Sequence, residues 1–401
     1  MIIGILILSL VARLVNLGQS LWLDEAITAV AVKNNSLIQL VANFSPGDFH
    51  PPLYYLLLKL WTDLFGYSEL ALRLPSVVFG VLTVFFVYKI GGKKAALLMS
   101  VNPLAVYYSQ EARMYSLATL LVTAAGCFFL KKKTVPFVAS FVAAMYTDYL
   151  PWLMLPVFWS WRPLMFLIPL APLLAVQLRA GFSVSSEWGN VLGSFNLKNF
   201  LLVPVKFIIG RITLENKLLY GLASISVVAV HGWALLKART RLYWLWFLGP
   251  LILGGLISLK TPIFSYFRFL FVLPAFILLL GEGLEKRNKL FAVIFLIQLG
   301  ALMIFNVFPN FWREDWKGAT KYFQSEPGLV LIPNVAQAAA LDYYSQKYTD
   351  VFTPARTVFL LRYVQEISDP RDLKRKRLED GGYRLAEIKN FNGVVVWKYD
   401  L

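Results

Sequence analysis

Two adjacent carboxylates, Asp24 and Glu25, stand at the outer mouth of the first apolar segment, in the run Ser20-Leu-Trp-Leu-Asp-Glu-Ala26. Ionisable groups beside a membrane span are costly, so such a pair marks a functional site. Asp-Glu in a first turn equally suits the dipole of a helix starting there, and both readings stand on position alone. Three further polar islands accompany the pair. His50 sits in Phe49-His-Pro-Pro-Leu-Tyr54-Tyr55. Tyr107-Tyr108-Ser-Gln110-Glu111-Ala-Arg113-Met-Tyr115 forms a polar knot between two apolar runs, and Lys260-Thr-Pro precedes Tyr266-Phe-Arg268-Phe269. Each island has a plainer role: Arg113 neutralising Glu111 or Asp24, His50 capping the helix that Pro51-Pro52 starts, Asp148 marking a span end, Lys260 and Arg268 anchoring an interface. Together they hold what transfer from a phosphate-linked donor requires. A carboxylate accepts the proton of an incoming hydroxyl, and arginine and lysine hold a leaving phosphate as its charge grows.

These residues sit in an apolar frame. The 401-residue chain is 58% hydrophobic and 15% charged, with a mean hydropathy of +0.61, the composition of a polytopic membrane protein that meets the bilayer as its first partner. The formal net charge of +16 comes in short clusters between apolar runs, which reads as membrane topology and not as a nucleic-acid surface. The single cysteine, Cys127, lies inside an apolar run and excludes a disulfide framework and a thiolate metal site.

A ruler of about 20 apolar residues per crossing gives spans near 1–17, 70–89, 94–110, 114–130, 135–148, 149–161, 163–178, 217–236, 242–259, 264–283 and 289–307, eleven in all. The pair at 135–161 also reads as one long helix kinked at Pro151 and Pro156, or as one span and a re-entrant piece. The first segment is a retained span, with Arg13 snorkelling outward. With the amino terminus inside, the basic turns around Lys89, Lys131, Arg162, Lys237 and Lys286 all face the cytoplasm, whereas Asp24, Glu25, Asp48, Glu111 and Asp148 lie at or beyond the outer face. The expected location is the plasma (inner) membrane, with the chemistry extracytoplasmic.

The first outer loop, residues 18–69, carries an amphipathic helix over 26–44 and an interfacial one over 53–65. The second, residues 179–216, has little periodicity. Residues 1–308 form one transmembrane domain. From Pro309 the composition turns soluble, with 14 basic and 12 acidic residues in the last 93, and the pattern predicts a small α/β domain over 309–401. Helices are expected at 315–324, 336–344 and 369–380, and strands at 328–332, 357–363 and 393–399. The run Lys374-Arg-Lys-Arg377 reads as a solvated helix face or a contact for an anionic surface.

In these motifs the chain resembles the GT-C superfamily of polyprenyl-phosphate-sugar-dependent glycosyltransferases, nearest the branch of the protein mannosyltransferases, the lipid A aminoarabinose transferase and the Rgt-type lipopolysaccharide transferases. The matching pieces are Trp22-Leu-Asp-Glu-Ala26, His50-Pro-Pro-Leu-Tyr-Tyr55, Arg73-Leu-Pro-Ser76, Tyr108-Ser-Gln-Glu-Ala-Arg-Met-Tyr115, Arg313-Glu-Asp-Trp316 and Tyr343-Tyr344. The resemblance implies a GT-C fold and an inverting transferase with its site on the first outer loop. Asp24 would be the general base, and Glu25 would hold the acceptor or, with Asp24, a divalent cation such as magnesium or manganese. His50, Arg113, Lys260 and Arg268 would meet the donor phosphate, and Tyr54, Tyr55, Tyr108, Gln110, Glu111, Tyr115 and Asp148 would line the pocket. Where the aminoarabinose branch carries a lysine, this chain has His50. It also lacks the β-trefoil insert of the protein mannosyltransferases, which turns the expected acceptor toward a lipid or glycan. The alternative from another class is a transporter or flippase that binds a lipid-linked sugar without chemistry.

Overall fold

The computed structural model describes residues 1–179, 196–261 and 263–401, so Glu187, Trp188 and Pro262 lie outside the described residues. The chain opens with α1 (Ile2–Leu14), and α2 (Leu23–Asn34) begins right after Trp22. The amphipathic helix expected over 26–44 is thus shorter and starts earlier; a Ser36–Gln39 capping box then opens a separate turn. Pro51 and Pro52 lead into α3 (Leu53–Phe65).

The helix α4 (Glu69–Val101) starts where the Ser68 side chain accepts the Ala71 N–H. Its 33 residues span roughly 50 Å at 1.5 Å per residue, too long for one 30 Å crossing. Gly92, at φ +71°, breaks it into two helices. Asn102 accepts the Ala105 N–H at 3.0 Å and Pro103 sets the first turn of α5 (Pro103–Ser109), after which α6 (Tyr115–Leu130) and α7 (Thr134–Met145) run as apolar helices.

Residues 149–161 do not form the span expected there. They hold a 3-10 turn, Leu150–Met154, and a single helical turn, Leu155–Phe158, ended by Trp159 at φ +44°. Pro151 and Pro156 each remove a backbone donor, and the chain crosses again only in α8 (Arg162–Arg179), itself wound as 3-10 helix through Leu170. Inside the second outer loop lies α9 (Leu197–Ile209), capped by Asn196 and tied to α5 by the Asn102 amide on the Phe207 carbonyl at 2.7 Å. Three apolar helices follow, α10 (Lys217–Leu235), α11 (Arg241–Ser258) and α12 (Leu273–Gly283), and then α13 (Asn288–Val307). Among the described residues, five segments are long and apolar enough to cross a bilayer (α4, α8, α10, α11 and α13), and shorter apolar helices surround them. The chain is a multi-pass membrane protein.

Arg13 does not snorkel. It is fully buried, donating to Ser109 Oγ (3.1 Å), to Ser9 Oγ (2.7 Å) and to the Ser9 and Ser100 carbonyls (3.1 Å each). Gly80 makes room for it: a Cβ there would stand 2.5 Å from Arg13 Nε and 2.8 Å from Ser109 Cβ.

After α13 come α14 (Trp316–Phe323), whose first turn the Asp315 carboxylate caps, α15 (Ala339–Tyr343) and α16 (Leu373–Asp380). They pack with a four-stranded sheet in the order β1-β2-β4-β3, from β1 (Leu329–Leu331), β2 (Thr357–Leu361), β3 (Arg384–Phe391) and β4 (Val394–Asp400). Strand β3 went unread in the sequence. It is a charged edge strand, joined to β4 by the two-residue turn Asn392-Gly393, both at positive φ. In the basic run on α16, Arg375 pairs with Asp372 and Glu379, and Arg377 lies over the Phe352 ring.

Candidate active site

The first outer loop is fastened by a buried ion pair. Arg73, from the start of α4, reaches Glu25 with Nε on Oε1 at 2.8 Å and Nη2 on Oε2 at 2.6 Å, and both side chains are fully buried. Its remaining donors close on the carbonyls of Leu17 (2.7 Å), Gln19 (2.6 Å) and Ser20 (2.9 Å), which fixes the turn between α1 and α2. Glu25 also accepts the Ala112 N–H at 2.8 Å and lies 3.7 Å from Arg313. Burial alone would raise the Glu25 carboxyl, but Arg73, then Arg313 and the Ala112 N–H, hold it below the usual range. The expectation of a catalytic or metal-binding Glu25 is therefore corrected, because both its oxygens are committed and neither meets solvent. Among the described residues no group of three or more His, Cys, Asp or Glu side chains has metal-site geometry. Asp24 and Glu25 do not fit a divalent cation as a pair.

Asp24, one residue earlier on the same turn, is half-buried, and its carboxylate makes no hydrogen bond or ion pair with a described residue. Its charge acts on Arg113, Tyr115, Glu111, Glu314 and Tyr363. Arg113 pairs with neither Glu111 nor Asp24. It donates to Thr28 Oγ1 at 3.1 Å and Tyr55 Oη at 3.5 Å, and stands 3.9 Å from Asp48 Oδ1. Asp48 was no part of the site drawn from sequence, yet it ties the outer loop together: His50 Nδ1 lies 2.9 Å from Oδ2, and the Tyr55 hydroxyl donates to the same oxygen. Burial would raise the Asp48 carboxyl, but His50, Arg113 and Tyr55 hold it below its ordinary value. His50 thus meets a carboxylate and is no simple helix cap.

Glu111 is fully buried, 3.9 Å from Arg313 Nη2, and is pushed up to about 8, chiefly by burial, with Arg313 opposing and Glu25 adding to the rise. Arg313 was read as part of a motif but given no role. It donates to the Tyr107 carbonyl at 2.9 Å, and its guanidinium lies 4.3 Å from the Tyr107 ring centroid, with Arg211 at 4.7 Å from the same ring. Gln110 spends its amide nitrogen on the Arg13 and Val15 carbonyls at 3.0 and 2.6 Å, finishing α1; the expectation that it lines the pocket gives way to that cap.

The aromatic wall is continuous. Tyr108 stacks on Phe267 with centroids 5.9 Å apart, and Tyr115 meets both rings edge-on. This brings the 264–269 loop over the site, and Arg268, half-buried, acts electrostatically on Tyr115 and on the buried Asp148. Asp148 accepts the Leu150 N–H at 3.0 Å. Tyr54 is buried beside Tyr55, their rings 5.7 Å apart. Lys260, in contrast, is exposed just past the end of α11, and its side chain makes no contact with these groups among the described residues; the geometry gives it no part in a phosphate site. The tail closes the roof: Glu314 accepts from the Leu23 N–H (3.3 Å), Trp316 Nε1 (2.8 Å) and Tyr363 Oη (2.8 Å).

The family model described as dolichyl-phosphate-mannose-protein mannosyltransferase matches residues 49–132, which hold His50, Arg73 and Arg113. No curated protein matches the chain. Among solved structures, ArnT from Cupriavidus metallidurans bound to undecaprenyl phosphate is similar at 13% identity and a TM-score of 0.55, over 98% of this chain and 97% of that one. Its apo state is similar at 13% identity and a TM-score of 0.51, with the same coverage. The likeness shows the fold over nearly the whole chain, and the family match spans the second and third polar islands.

Proposed function

We propose that the protein is a membrane glycosyltransferase that moves one sugar from a polyprenyl-phosphate donor to an acceptor on the extracytoplasmic face, with inversion at the anomeric carbon. The observation that carries this reading is the Asp24 carboxylate, left unpaired beside Arg113 while Glu25, Asp48 and Glu314 around it are engaged. A carboxylate so placed takes the acceptor proton as the acceptor oxygen bonds to the anomeric carbon. The bond from that carbon to the phosphate oxygen breaks, and the polyprenyl phosphate leaves with the electron pair. Arg113, held by Thr28, Tyr55 and Asp48, and Arg268 above the aromatic wall supply positive charge for the leaving group. His50, tied to Asp48, stands in the same region. That a protein of similar fold holds undecaprenyl phosphate supports the donor class. The clustering of basic residues in the turns opposite the site supports a plasma (inner) membrane location with the amino terminus in the cytoplasm.

The test is Asp24→Asn in purified protein, assayed for release of polyprenyl phosphate and, separately, for donor binding. Loss of a general base costs about 10²–10⁴-fold in turnover, and donor binding should stay. Turnover unchanged by Asp24→Asn overturns the reading. Movement of donor between leaflets without release of polyprenyl phosphate would favour the flippase.

A further inference from the structure

A cavity opens on the other side of the Arg313 segment. Its volume is about 790 Å³, and it lies between the turn after α1, the chain leaving α13, and the tip of the β3–β4 hairpin. We propose that this cleft binds a neutral sugar unit of the acceptor. The word acceptor rests on the transferase reading; the sugar site itself does not.

Size is the first argument, since the volume falls in the range of small-molecule sites, roughly 300–1,000 Å³. Chemistry is the second. The side chains that count are Gln19, Asn310, Trp312, Arg313, Asn390 and Asn392, four of them amides. A sugar presents hydroxyls that both donate and accept, together with a face of C–H bonds, so its match is a set of neutral amides of both polarities beside an aromatic ring. Here the hydrogen bonds already made settle what each amide has left. Asn392 Nδ2 is spent on the Trp312 and Arg313 carbonyls at 2.8 and 2.7 Å, leaving its oxygen as an acceptor. Asn390 Oδ1 takes the Gly393 N–H at 2.8 Å, leaving its amide nitrogen as a donor. Trp312 is fixed by its indole N–H on the Asn306 carbonyl at 3.2 Å, which holds a half-buried ring at the cleft wall.

The third argument is a set of buried donors without acceptors. Gln19 accepts the Arg313 N–H at 3.1 Å, but its Nε2 is buried and has no partner. Arg313, only 5% exposed, leaves Nη1 buried and without a hydrogen bond. Both line this cleft, and native proteins rarely leave such groups unsatisfied. The charges nearby are otherwise balanced, Lys317 by Glu69 at 3.0 Å, Asp315 by the Gly318 N–H at 2.8 Å and Arg313 by Glu25 and Glu111 at 3.7 and 3.9 Å, which favours a neutral ligand.

Position supplies the last argument. The cleft and the Asp24 site are neighbours, because residues 18–20, Trp312, Arg313 and Asp315 line the cleft while the adjoining Leu23 and Glu25 meet Glu314 and Arg313. An acceptor glycan seated here lies next to the proposed base.

The experiment is saturation-transfer-difference NMR on the full chain in detergent, with the methyl glycosides of glucose, galactose, mannose, rhamnose and N-acetylglucosamine, and with methyl glucuronide as the charged control. At least one neutral glycoside should show transfer to its ring C–H protons. Trp312→Ala should abolish the signal. Asn310→Ala, at an exposed side chain that holds up nothing, should weaken binding by roughly three- to tenfold, the worth of one hydrogen bond. Asp24→Asn should leave the signal intact. Silence from every neutral glycoside, a response from the glucuronide alone, or a signal that survives Trp312→Ala in protein with an unchanged unfolding temperature overturns the proposal. Loss in Asp24→Asn with retention in Trp312→Ala would move the sugar to the Asp24 site and overturn the proposal. Failure of donor turnover with glycoside binding intact would sink only the transferase reading.

Discussion

Arg73 and Glu25, 48 residues apart in sequence, meet in a bidentate ion pair at 2.6 and 2.8 Å with no access to water. Removing one partner of a buried pair strands the other charge at a cost of about 3–5 kcal/mol, whereas replacing both with apolar groups of similar volume is often nearly neutral. Arg73→Ala should therefore lower the unfolding temperature sharply in detergent, and Glu25→Leu with Arg73→Met should recover much of that loss. If the single substitution left the unfolding temperature unchanged, Glu25 would be free for chemistry after all.

Glu111 gives the fold a pH dependence of its own. Its carboxyl titrates near 8 in the folded protein against an ordinary 4.5, so between those values the folded state holds a proton that the unfolded state has lost. Stability from this group is complete below about 4.5 and declines as pH rises toward 8. Asp48 and Glu25, held low, lose theirs only on acidification, below this window. Unfolding temperatures measured from pH 5 to 8 should fall less steeply in Glu111→Gln than in the parent chain.

Asp48 is expected to matter for turnover more than for folding. It orients Arg113, His50 and Tyr55 from one carboxylate, and misplacing a reacting group by about 1 Å can cost about 10²-fold. Asp48→Asn should reduce polyprenyl-phosphate release by that order while leaving the unfolding temperature nearly unchanged. Comparing release rates and unfolding temperatures of the two chains checks this.

Gly80 is a packing prediction. An alanine Cβ there collides with Arg13 Nε and with Ser109, and overpacking of this kind costs typically about 1–3 kcal/mol. Gly80→Ala should destabilise, and adding Arg13→Met, whose flexible thioether fits irregular space, should return part of the loss. Thermal unfolding of the three chains gives the comparison.

Local signals in the sequence told helix starts, apolar spans and three of the four strands. The two-proline pieces at 149–161 stay open between a crossing and a re-entrant piece in the sequence, because hydropathy counts apolar residues and is blind to lost backbone donors. Strand β3 escaped because its residues alternate charge at an exposed edge, although Asn392-Gly393 between apolar residues was a hairpin signal in plain view. The site was half legible. Asp24, Arg113 and the tyrosines stood out by type, but Asp48 looked like any loop aspartate, and Glu25 looked reactive until Arg73 met both its oxygens. Nothing in the spacing of 25 and 73, or of 111 and 313, shows that these charges are partners. Long-range pairing of this sort is written in the packing.

Arg313 belongs to a part of the chain that leaves the ribosome only after every membrane helix has been made. Until then Glu111 lacks the Arg313 guanidinium and the roof over Asp24 is missing. On the transferase reading, a chain cut short before the tail would be inserted yet inert, and sugar transfer would have to wait for the completed chain.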